Sequence, residues 1–310
     1  MARTRFPPDF GLSSRMLLTM FLLGLVYVAF MAVLIALKIP VALVVVIAVG
    51  FLLFQYFFSD RIALFAMRGR EVTPQQAPEL HELIDRLCAL ADMPKPRVAI
   101  AQSDIPNAFA TGRNPKVAVV CVTTGIMRKL DKPELEAVLS HELSHVAHRD
   151  VAVMTIASFL GLLAGFVVRM AFYGGVYGGG FGGYGRRDSN NNDSTGAVIL
   201  LVVLASAVVY ALSFLLTRAL SRYRELSADR AGAMLIGRPS LLASALVKVS
   251  GDMARIPTRD LRAAEPLNAF FFAPAIAPGF SLSSLFSTHP SLEQRLERLS
   301  RLEAELGRRA

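Results

Sequence analysis

Four stretches of this chain carry apolar residues with almost no interruption, and between them the pattern shifts to the shorter periods of soluble helices and strands. Met16–Leu37 is apolar apart from Thr19 and Tyr27, and Val41–Phe58 follows after only Lys38-Ile39-Pro40. Val151–Phe172 and Ala197–Leu216 are the third and fourth blocks. About twenty helical residues cover about 30 Å, the thickness of a bilayer's hydrocarbon core. The pattern predicts a two-span membrane hairpin in 1–58 and a second apolar pair in 151–216. That second pair either spans or packs as core helices. The first block exceeds the core of a signal peptide, about 7–15 residues, and no small-residue cleavage pattern follows it, so it reads as a retained anchor.

The stretches 59–150 and 217–310 then read as two halves of one soluble domain. Pro78–Ala91 spaces Leu80, Leu83, Ile84, Leu87 and Leu90 as a helix does. Arg97–Ala101, Asn107–Thr111 and Lys116–Thr123 read as strands, the last two joined by a turn at Gly112-Arg113-Asn114-Pro115. Asp131-Lys132-Pro133-Glu134 has the form of a capping box with proline in the first turn. No breaker follows before Phe172, so this helix is expected to run on into the third block. Gly174–Gly196, rich in Gly, Asn, Tyr and Ser, reads as a flexible extracytoplasmic loop. The fold class is mainly α (α+β), with multi-pass membrane helices.

Composition explains where the apolar excess belongs. The chain is 54% apolar, against about 45–50% in soluble domains, with a mean hydropathy of +0.47. Its net charge of +9 lies largely beside the blocks, at Arg3, Arg5, Arg15, Arg61, Arg68, Arg70, Arg218, Arg222 and Arg224. Cations so placed orient a membrane protein and put both ends of the first hairpin on the cytoplasmic side. Arg186 and Arg187 in the loop run slightly against that pattern, and Arg169 sits late in the third block, where it can snorkel. The lipid bilayer is the partner this distribution fits; no nucleic-acid module is present, so nucleic acid is not an expected partner. Cys88 and Cys121 are too few for a disulfide framework and read as small buried hydrophobes, with a single bridge as the alternative.

Three of the five histidines fall at 141, 145 and 148. In His141-Glu142-Leu143-Ser144-His145 the two outer imidazoles share one helix face and can reach one metal ion. Glu142 lies about 100° round the helix, placed to polarise a metal-bound water. The surrounding Ala137, Val138, Leu139, Val146 and Ala147 argue against two solvated surface histidines. A carboxylate in Ser221–Asp229 is the candidate third ligand: Glu225 would bind, and Asp229, four residues on, would hold the outer nitrogen of a ligand histidine. The alternative for Glu225 is a surface acid paired with Arg222 or Arg224. Position 151 is valine where a third histidine would complete a different zinc pattern, so His148 reads as supporting or exposed, and His81 as a surface residue.

Taken in order, the leading spans, Pro106–Gly112, the His141–His145 helix with Arg149-Asp150, two further apolar blocks, Glu225–Asp229 and Thr288-His289-Pro290 resemble the HtpX-type integral-membrane zinc metallopeptidases, relatives of the CAAX prenyl proteases. The resemblance covers nearly the whole chain. It implies a zincin-like domain facing the cytoplasm from the cell inner membrane, with one Zn2+ per chain held by His141, His145 and Glu225. It implies Glu142 as general base toward a water in the open position. His289 would stabilise the oxyanion, or alternatively cap the last helix. Asn107, Ala108, Phe109 and Ala110 would form the edge strand that takes the substrate backbone. Membrane or misfolded proteins are the substrates implied, in a quality-control role. The rival readings are a CAAX-type processing protease and a non-enzymatic four-span scaffold or transporter; the latter would require ionisable groups inside the spans, or a zinc site closed by His148.

Overall fold

The computed structural model describes residues 10–36, 41–150, 192–253 and 289–308, with isolated helical positions between 152 and 165. Most of the third apolar block, including Arg169, lies outside the described residues, as do the glycine-rich loop up to 191, with Arg186 and Arg187, and Thr288. The chain divides into two compact units, one drawn from 1–16, 56–153 and 218–310, the other from 17–55 and 154–217.

The first unit is built on a four-stranded sheet. Its strands are β1 (Gly69–Glu71), β2 (Arg97–Ala101), β3 (Ala108–Thr111) and β4 (Val119–Thr123), in the order β1-β2-β4-β3. β2 runs parallel to β4 with Arg97 opposite Val119; β1 and β3 are antiparallel edges, Gly69 opposite Ala101 and Ala108 opposite Val122. β4, Val-Val-Cys-Val-Thr, is buried throughout, as a β-branched run covered on both faces must be. Alternate residues serve two cores. Val98, Val120 and Val122 pack with Leu83, Ile84 and Leu87 of α3 (Pro78–Ala91) and with Val138 and Leu139 of α5 (Lys132–Ala147). Ala99, Ala101, Val119 and Cys121 pack with Ala63 of α2 (Val41–Ala66).

α3 and β2 have the bounds that their periodicity predicts. β3 begins one residue later than expected and β4 three later, because Asn114 draws Lys116 and Val117 into the turn: its Oδ1 accepts from their N–H groups at 3.0 and 3.3 Å. Gly112 is required there, with φ +118° and a backbone so close that a Cβ would meet Ala118 Cα at 2.7 Å. β1 and the short helix α4 (Thr124–Lys129) carry no pattern long enough to predict.

α5 opens with the expected capping box, Glu134 N–H donating to Asp131 Oδ1 at 2.9 Å and Asp131 N–H to Glu134 Oε2 at 3.2 Å. The same Glu134 accepts from Ser244 Oγ and Lys248 Nζ, both at 2.6 Å, tying in the helix that contains them. The helix does not continue into the third block. It ends at Ala147, with His148 as C-cap and Arg149 in the left-handed region at φ +57°. The turn swings Asp150 back toward the helix it has left. His81 is not a surface residue either: it is buried in α3, and its Nε2 lies 3.0 Å from the carbonyl of Val72.

Helix α6 (Asn192–Ile236) runs unbroken from the fourth apolar block through Glu225 and Asp229, and a left-handed Gly237 follows its end. α7 (Pro239–Met253) packs against α5, and α8 (Leu292–Gly307) packs against α7, Leu242 and Leu246 meeting Leu299 and Leu302 in the larger core.

α1 (Phe10–Ala36) and α6, whose residues 17–36 and 192–217 belong to the second unit, contain segments long and apolar enough to cross a membrane, Ser13–Val33 and Leu200–Ile236. Their residues are sorted inside out. Ser206 and Ser213 are fully buried, while Phe21 is 61% exposed and Val208 59%. Many large apolar groups face outward while small polar ones, together with Leu23 and Phe30, face inward, an arrangement suited to lipid surroundings.

Candidate metal centre

The site forms where α6 crosses α5 at backbone contact. A Cβ on Gly232 would stand 2.8 Å from the nitrogen of His141 and 2.9 Å from its Cα, so only glycine permits this approach. Ser140 Oγ donates to the carbonyl of Gly232 at 2.9 Å and fixes the register of the crossing. Two turns upstream on α6, Glu225 then faces the two histidines.

His141, His145 and Glu225 bring three ligand atoms within 4.8 Å of one another, and all three residues are buried. The two Nε2 atoms are 3.2 Å apart. Glu225 Oε1 lies 3.4 Å from His145 Nε2, and Oε2 lies 3.7 Å from His141 Nε2. A tetrahedral ion with bonds of 2.0–2.2 Å separates its ligands by about 3.3–3.6 Å, so the spacing suits such an ion. The outer nitrogens face carboxylates, His141 Nδ1 lying 3.0 Å from Asp229 Oδ1 and His145 Nδ1 2.6 Å from Asp150 Oδ2. Carboxylates only accept, so in the neutral rings the proton sits on Nδ1 and both Nε2 lone pairs turn inward with the Glu225 oxygens. The donor set fits a cation.

The electrostatics agree. Burial alone would lower the His145 pKa, yet Asp150 and Glu225 raise it to about 10, which is the site's demand for positive charge expressed on a proton. For His141 burial outweighs Asp229 and its pKa falls below the usual value. Burial would push Asp150 up, but Arg224 and His145 hold its carboxyl below the ordinary carboxylate range. Glu142 is 4% exposed, and burial pushes its carboxyl up to about 8 against the pull of His145. Its Oε2 accepts the N–H of Ala110 at 2.9 Å, on the edge strand β3.

Of the other expected site residues, His289 is buried with Nδ1 3.1 Å from Glu225 Oε2, so it stands at the cluster. Asn107, Ala108 and Phe109 are buried along β3 and its approach, and Ala110 is partly exposed. His148 caps α5 and is not among the three clustered ligands. Cys88 and Cys121 are free thiols, without the bridge left open by the sequence. Three residues were not foreseen at the site. Asp150, five past His145, lies off the helical register and arrives only through the break at Arg149. Arg224 Nε pairs with Asp150 Oδ1 at 3.1 Å. Arg295, on α8 and 1% exposed, grips Asp229 through Nε at 2.8 Å and Nη2 at 2.6 Å. Arg295 stands at helical spacing between Leu292 and Leu299, Leu302, on the apolar stripe of the last helix, but nothing in the sequence tells what it meets there.

The model of peptidase family M48 matches residues 74–303. The chain is 61% identical over 305 residues to protease HtpX homolog 1 of Streptomyces coelicolor, covering 98% of this chain and 97% of the relative. It is 56% identical over 307 residues to the protease HtpX homolog of Moorella thermoacetica, covering 99% of each. Among solved structures it is similar to Ste24p of S. mikatae, with a TM-score of 0.50 and 18% identity over 94% of this chain and 66% of that one, just under two thirds of its length. That likeness speaks to the fold alone. On the family match and on identities of this extent, the chain belongs to peptidase family M48 and is a metallopeptidase.

Proposed function

We propose that this metallopeptidase is a membrane-seated zinc endopeptidase in which His141, His145 and Glu225 hold one zinc ion and Glu142 is the general base. The convergence of two inward Nε2 atoms and a carboxylate at spacings of 3.2, 3.4 and 3.7 Å carries the reading. Zinc there supplies Lewis acidity, lowering the pKa of water to about 7 and polarising a scissile carbonyl. Glu142, buried beside the two histidines with Oε2 accepting from Ala110 N–H, takes a proton from the attacking water and returns it to the leaving amine. Asp229 and Asp150 hold the two imidazoles in the ligating tautomer. With His289 Nδ1 at Glu225, oxyanion stabilisation falls to its Nε2. Ala108, Phe109 and Ala110 of β3, with Asn107 leading into it, form the edge along which an extended substrate lies.

A substrate that adds to a sheet edge must first be extended, which favours misfolded or unfolded proteins. The inside-out apolar helices favour substrates within or beside a bilayer. Arginines beside the apolar blocks support a multi-pass protein of the cell inner membrane, its catalytic unit toward the cytoplasm. The test is zinc stoichiometry together with casein cleavage, with and without chelator, on purified protein. One zinc per chain and chelator-sensitive cleavage are expected; cleavage indifferent to chelator overturns the reading. A prenylated peptide cleaved while casein is spared would replace it with the narrow CAAX-type alternative.

A further inference from the structure

His145 is held by Asp150, and Asp150 in turn by Arg224, a side chain from a separate element. Arg149, at φ +57°, ends α5 and turns the chain so that Asp150 doubles back onto the last helical turn. Its Oδ2 stands 2.6 Å from His145 Nδ1, and its other oxygen, Oδ1, 3.1 Å from Nε of Arg224. Arg224 immediately precedes Glu225 on α6. Asp150 is 2% exposed and Arg224 8%, so the pair is largely withdrawn from water. The residues that hold His145 and present Glu225 are thus joined by one buried ion pair.

We propose that Asp150 and Arg224 are positioning residues that lock the carboxylate-bearing helix to the second histidine and thereby set the distance between two ligands of the metal. The left-handed turn at Arg149 exists to make this latch: a helix continued through residue 150 would carry Asp150 away from the ring. Asp229 and Arg295 treat His141 in the same manner, but Arg295 comes from α8, whereas Arg224 sits on the ligand helix itself. Asp229 reaches His141 across the same crossing, and the Asp150–Arg224 pair is the corresponding tie between the Glu225 helix and the residue that holds His145. A buried pair of this kind is costly to break, because the survivor is left charged and unpartnered.

This inference rests on His141, His145 and Glu225 as the metal ligands. Its test is zinc affinity by competition with a chromophoric chelator on the full-length protein, alongside the visible spectrum of the cobalt-loaded form. Asp150→Ala and Arg224→Gln should each weaken zinc binding by about 10–100-fold, the range for partners of ligating histidines. Both should alter the cobalt bands, and the double variant should cost little more than either alone. Should Asp150→Ala fail to fold, the isosteric Asp150→Asn keeps an acceptor for Nδ1 but loses the charge that holds Arg224, and the same affinity loss is expected of it. Zinc affinity within twofold of the parent with unchanged cobalt bands, whatever happens to thermal stability, would leave the pair a merely structural one and overturn the proposal. His145→Ala is the control: if it binds zinc as the parent does, the ligand assignment itself fails, which the variants at 150 and 224 cannot mimic.

Discussion

Glu142 and the two histidines that flank its turn sit within one buried run of α5, yet their chemistry separates cleanly by substitution. Glu142→Gln retains an oxygen to accept from Ala110 N–H and leaves the ligands untouched, so metal content should be unchanged. Turnover should fall by at least the 10²–10⁴-fold that a general base contributes; cleavage at the parent rate in clean preparations would remove Glu142 from that role. Glu225→Ala should weaken zinc binding, measured by elemental analysis after dialysis, and unchanged content would remove Glu225 from the ligand set. The cysteines give a contrasting expectation. Burial pushes the Cys88 thiol up to about 11 and Cys121 up to about 12, so almost no thiolate exists at pH 8. Iodoacetamide should label neither in the native chain and both after denaturation; rapid native labelling would contradict their burial.

At the scale of elements, the crossing of α5 and α6 is the sensitive joint. Gly232→Ala would place a methyl group against the His141 backbone, where nothing flexible can yield. A loss of about 1–3 kcal/mol is expected in urea unfolding, with weaker zinc binding because the ligand helices part. Asp131→Ala should cost about 1 kcal/mol through the lost cap and leave zinc affinity as it was. α3, β2 and the start of α5 were legible in the sequence because each depends on local periodicity or a cap. The end of α5 was not: its stop is an arginine at positive φ, a conformation that sequence preference assigns to glycine or asparagine. What holds it is tertiary, through the contact of Asp150 with His145 and Arg224. The ligands themselves were legible from spacing and residue type. Gly232, Arg224 and Arg295 were not, since their meaning depends on which helices cross.

For the whole molecule, the proposed ligands come from α5 and α6, so a bound cation would offset the repulsion between the inward imidazole lone pairs and the Glu225 carboxylate. Zinc should therefore stabilise the fold as well as activate it. Chelation should lower the thermal midpoint and zinc restore it, while His145→Ala should melt at one temperature with or without chelator. A midpoint of the parent that ignores chelator would mean that the cluster is not a zinc site under those conditions.

Residues 145 and 225 are separated by about eighty positions of chain. A ribosome adding about 5–20 residues per second needs several seconds to cover that gap. Throughout the interval a growing polypeptide already displays its imidazoles but has no carboxylate opposite them. On the proposed ligand set, cutting power thus arrives late in synthesis, only once α6 has been made and laid across α5, and a half-finished chain carries no complete centre.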